Sequence, residues 1–93
     1  MDLKLNYKNA KSKNEAFKII KDNITPEEIK KFKVNADLSY SPDDLITATG
    51  KGFSLDMAFS EDYVGIKLTL SLLLRPLRGK ILDSIERKVG KYI

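Results

Sequence analysis

The sequence predicts an α+β fold in which an antiparallel sheet of four or five strands packs against a long C-terminal helix. Two observations carry this reading. From Phe53 to Leu70 apolar and polar side chains largely alternate, the period of a half-buried strand. From Leu77 to Val89 the apolar residues recur at helical spacing, as Leu77, Ile81, Ile85 and Val89. The period changes almost without a loop, so the helix is expected to pack back on its own sheet. Ninety-three residues make one domain, 1–93, long enough to bury a single core without staples.

Each element has its own local reason. Leu3, Leu5 and Tyr7 alternate with Lys4, Asn6 and Lys8 and read as a short strand. Ser12 followed three residues later by Glu15 is a capping box, and Ala16, Phe17, Ile19 and Ile20 supply the apolar stripe of a helix from about Lys13 to Asp22. Thr25-Pro26-Glu27-Glu28 is a second start signal, with Thr as cap, Pro at the first helical position and acids facing the dipole. That helix, or single turn, runs to about Phe32 with Ile29 and Phe32 inward. Val34, Ala36, Leu38 and Tyr40 return to period two, Ser41-Pro42-Asp43-Asp44 forms a type I turn, and Leu45 to Thr49 is the return strand. Gly50-Lys51-Gly52 is a turn into Phe53, Leu55, Met57 and Phe59, and Ser60-Glu61-Asp62 turns that strand into Val64, Ile66, Leu68 and Leu70. The order is β-α(α)-β-β-β-β-α, an antiparallel meander. In the last helix Leu82 and Tyr92 widen the stripe, Pro76 falls in the first turn or two, and Asp83 and Arg87 form an i,i+4 pair. Ile81 and Ile85 are placed at the centre of the helix–sheet contact, where truncation to Ala would cost about 2–5 kcal/mol. The N-terminal helix is expected over an end of the sheet or over its remaining face.

Composition removes several chemistries. The chain has no Cys and no His, so disulfides, thiol chemistry and zinc sites are not expected. No apolar run approaches the roughly 20 residues of a membrane span, and the N-terminus lacks the hydrophobic centre of a signal peptide, which points to the cytoplasm. Carboxylates sit in turns, as Asp43-Asp44 and Glu61-Asp62, where acids cap and solvate. Asp56, on a strand exterior, is expected to pair with Lys67 across the sheet. Nothing here supplies a tuned acid/base pair in a cleft, so neither an enzyme nor a cofactor is expected. Gly50-Lys51-Gly52 lies between strands and reads as a hairpin turn, since phosphate loops feed a helix. The net charge of +4 comes from a cluster around Lys8, Lys11, Lys13, Lys18 and Lys21, another at Lys30, Lys31 and Lys33, and a third in the last helix. Exposed aromatics to interleave with them are lacking apart from Tyr63 and Tyr92, which disfavours nucleic acid.

Read together, these segments resemble a known family. The lysine-bearing first strand, "NEAFKII" at Asn14–Ile20, the hairpin, and "GKGFSLDMAFSEDYVGIKLTLSLLLRPLRGKILDSIERKV" at Gly50–Val89 are similar to the small bacterial proteins of polyhydroxyalkanoic acid systems. The likeness is greatest from Gly52 to Val89 and rests on patterning, not on chemical motifs. It implies a granule- or polymer-linked accessory protein of the bacterial cytoplasm. Members often carry a His where this chain has Asn9, so no imidazole role carries over. The element order also resembles a reduced helix-grip fold, in which a sheet wraps a long C-terminal helix.

One cluster stands out as a candidate site. Three consecutive leucines, Leu72, Leu73 and Leu74, cannot all face one core from a regular helix or strand. One or two of them are expected to be exposed, with Arg75 and Arg78 as a polar rim, for contact with a granule surface, a partner protein or a second copy of the chain. The functional expectation is therefore a non-enzymatic accessory protein that binds a hydrophobic surface. The alternatives are a small apolar-ligand-binding module with a cavity between sheet and C-terminal helix, and a basic nucleic-acid-binding domain.

Overall fold

A computed structural model of the chain describes residues 2–25, 27, 36–42 and 44–93. The second helix signal beyond Thr25, with Ile29 and Phe32 inward, falls outside the described residues. So do Val34, the lysines at 30, 31 and 33, and Asp43. The elements are β1 (Leu3–Asn6), α1 (Lys13–Asn23), β2 (Asp37–Ser41), β3 (Leu45–Gly50), β4 (Phe53–Phe59), β5 (Tyr63–Leu70), a 3₁₀ turn (Arg75–Leu77) and α2 (Arg78–Tyr92). The α+β architecture matches the expectation.

Five strands form one antiparallel sheet in the order β1-β5-β4-β3-β2. Strands β2 to β5 are a meander, and β1 adds to the free edge of β5 with Leu3 opposite Ile66 and Leu5 opposite Val64. This register brings the apolar sets of all five strands onto one face. Tyr40, Ile46, Met57, Ile66 and Leu3 make one rung; Leu38, Ala48, Leu55 and Leu68 make the next; Gly50, Phe53 and Leu70 make the last. A slip of one residue would turn every one of these side chains to the other face, so the hydrophobic pattern holds the register.

Both helices lie on this inner face. Helix α1 begins where Ser12 Oγ accepts from the Glu15 amide at 3.2 Å, and it buries Ala16, Phe17 and Ile20. Phe17 meets Phe59 edge-on at 5.5 Å between centroids and Tyr40 at 6.5 Å, the arrangement aromatic quadrupoles favour. Helix α2 contributes Val89, with Ile85 and Tyr92 packed beside it, and the chain ends in a fully buried Ile93 side chain. Three successive amides, of Lys8, Asn9 and Ala10, donate to the Ile93 oxygen at 2.7, 2.6 and 3.1 Å. They pin the end of α2 to the loop between β1 and α1. No helix among the described residues is long and apolar enough to cross a membrane.

The other face carries polar rows. Ser39, Thr47, Asp56 and Lys67 lie side by side across four strands, and Asp37, Thr49, Ser54 and Thr69 form a parallel row. Asp56 stands directly opposite Lys67, and Tyr63 carries the Lys4 ammonium 4.5 Å above its ring. Helix α1 therefore sits over one end of the face that α2 also covers, and the remaining face has no helical cover among the described residues.

Candidate ligand-binding site

The site begins where β5 ends. The Ser71 amide donates to the Gly52 carbonyl at 2.8 Å, and the Leu74 and Arg75 amides both donate back to the Ser71 carbonyl, at 3.0 and 3.1 Å. The chain thus folds over immediately after the strand. This bend separates the leucines: Leu72 is 76% and Leu73 91% exposed, whereas Leu74 is half-buried. Gly52 makes the approach possible. Its φ is +86°, and a Cβ there would stand 3.1 Å from Leu74 Cδ1 and 3.2 Å from Ser71 Oγ.

The two arginines expected at the rim have different fates. Arg75 is exposed at the start of the 3₁₀ turn, with Pro76 following it where a missing amide costs little. Arg78 instead folds back. Its Nη1 donates to the Leu68 carbonyl at 3.1 Å, and its Nη2 pairs with Asp2 Oδ1. Asp2 Oδ2 in turn accepts from the Leu68 amide at 2.8 Å. Asp2 and Arg78 together satisfy the backbone of β5 just beyond the end of β1. The amide of Leu68 and the Arg78 guanidinium hold the Asp2 carboxyl below its ordinary value of 3.8.

Beneath the junction lies a cavity of about 380 Å³ between the sheet and α2. Its floor is the inner-face rungs, chiefly Leu38, Ala48, Leu55 and Leu68, with Phe53 and Leu70 at one end. Its roof is one side of α2 and the junction, with Leu74, Leu77, Ile81 and Ile85. Ile24, at the end of α1, closes a third side. Among the described residues, the 11-residue α1 fills the Phe59–Tyr40 end of the face, and α2 lies over the Phe53–Leu70 end. The volume lies within the usual range of small-molecule sites, about 300–1,000 Å³, and is more than twice an apolar void of about 150 Å³ that admits benzene.

This geometry corrects the expected role of α2. Ile81 and Ile85 do not sit at the centre of a dense contact; both are half-buried and border the cavity, and Val89 is the buried residue of the stripe. Leu77 is 45% exposed. Of the five residues singled out in sequence, only Leu74 lines the cavity; Leu72, Leu73 and Arg75 lie outside it, and Arg78 is engaged with β5.

Ala48 and Ser84 are cavity residues that sequence reasoning passed over, and Lys80 and Lys88, which the sequence places among the basic residues on the outer side of the last helix, border the cavity as well. Two signals were available. Ala48 is a small residue among large ones on the inner face, and Ser84 interrupts the helix face that Leu77, Ile81 and Ile85 share. The polar members, Lys80, Ser84 and Lys88, stand one turn apart along a single edge of α2. Among the described residues there is no group of three or more His, Cys, Asp or Glu that could hold a metal ion. No protein-family model, curated protein or solved structure matches the chain.

Proposed function

We propose that this protein is a non-enzymatic binding module that takes up a small, largely apolar molecule between its sheet and helix α2. The observation that carries the reading is the cavity itself, about 380 Å³ with almost wholly apolar walls. A soluble chain gains stability by closing such a space on its own side chains, since each unfilled void forfeits dispersion contacts. Keeping it open has a use if a ligand fills it. The ligand would gain about 25 cal/mol for each Å² of apolar surface it buries.

Dodecanol is the test molecule. Full-length protein should bind it saturably and unfold at higher temperature in its presence, by up to about 2.7 kcal/mol of added stability at a hundredfold excess over Kd. Ala48→Phe, which builds a ring into the cavity floor, should abolish that gain while the protein stays folded. Absence of any saturable uptake by the unmodified chain would end this reading.

A second reading rests on the exposure of Leu72 and Leu73: an accessory protein of polyhydroxyalkanoate-system type that docks on a hydrophobic surface. Under it, Leu72→Ser/Leu73→Ser should release the protein from polyester particles and leave dodecanol uptake unchanged.

A further inference from the structure

The cavity is apolar but its rim is not evenly so. Lys80, Ser84 and Lys88 border it from successive turns of α2, on the edge adjoining the Ile81–Ile85–Val89 row. A lysine bordering an apolar wall can lay its aliphatic stem along it and keep its ammonium group in water. An apolar space edged on one side by two cations and a hydroxyl is complementary to a molecule of one kind.

Resting on the cavity as the binding site, we propose that its ligand is an amphiphile with an anionic head, of the long-chain carboxylate or acyl-phosphate class. The tail lies against Leu55, Leu68 and Ala48. The head meets Lys80 and Lys88 at the rim, with Ser84 able to donate to one of its oxygens. Charge-assisted contacts of this type are about twice as strong as neutral ones and discriminate by sign.

The experiment compares three probes of equal tail length on the full chain by calorimetric titration below their micellar concentrations: laurate, dodecanol and dodecyltrimethylammonium. Laurate should bind about tenfold more tightly than dodecanol, the worth of one net hydrogen bond to a charged group, and the ammonium probe more weakly than either. Lys80→Gln/Lys88→Gln should reduce the preference for laurate over dodecanol, both measured on the same folded variant, to about threefold or less. Equal affinities for laurate and dodecanol would overturn the anionic-head proposal while leaving the cavity reading intact. Laurate preference that survives the double substitution would overturn the assignment of the head to this rim. Failure of all three probes to bind would remove the cavity reading and this proposal with it.

Discussion

Single residues here carry sharply different loads. Gly52 is required twice, for its positive φ and for the approach of Leu74, so Gly52→Ala should destabilise the fold by at least about 1–2 kcal/mol, the cost of a left-handed conformation for a residue with a Cβ. Chemical denaturation measures this directly. Leu72→Ser and Leu73→Ser should each change stability by less than about 0.5 kcal/mol, as at other exposed positions. Tyr7 reports through pH. Its hydroxyl donates to the Ser60 carbonyl at 2.7 Å, and burial, with Glu61 and Asp62 nearby, pushes its pKa from 10.0 up to about 12. Folding thus favours the neutral phenol. Its contribution is complete below pH 10.0 and is lost as pH rises towards about 12. An alkaline denaturation series should show Tyr7→Phe losing less stability across that window than the parent. The leucine triplet illustrates what one residue's neighbours reveal. That three leucines cannot share a face is legible in the sequence; that Leu74 is the one turned inward depends on Gly52, a contact across 22 positions that no local pattern encodes.

At the scale of elements, the strands and the long helix were legible because each has an unbroken period and a clear boundary residue. The sheet order was legible in part: short turns dictate a meander, but the pairing of β1 with β5 closes over more than fifty residues. The side taken by α1 was not, because an amphipathic stripe states that one face is buried without stating against what. Its packing now orders the expected costs. Ile20→Ala, at a fully buried position under α1, should cost about 2–5 kcal/mol. Ile81→Ala, at the half-buried cavity border, should cost about 1 kcal/mol, well under the value that the sequence predicts for the centre of the helix–sheet contact. Equal costs at the two sites would mean that α2 closes on the sheet. The Asp2–Arg78 clamp gives β5 its own pH dependence. Because the Asp2 pKa lies below 3.8 in the folded protein, its contribution is present above that value and is lost as pH falls through the lowered one. Asp2→Asn should flatten the acid limb of the stability curve.

The molecule as a whole is elongated, 38 × 21 × 19 Å, with α1 and α2 on one face of a sheet whose other face is polar. The cavity belongs to this scale, which is why it escaped the sequence. It is a difference between volumes assembled from three separate elements, and only Ala48 and Ser84 hint at it locally. Any part of the space of about 380 Å³ between sheet and α2 that water does not fill adds volume beyond what the atoms need, and unfolding releases that surplus. Hydrostatic pressure therefore becomes a selective agent against this fold. The ligand-free chain should unfold at pressures that leave well-packed domains of its size intact, with a negative volume change that shrinks when Ala48→Phe or a bound amphiphile occupies the void.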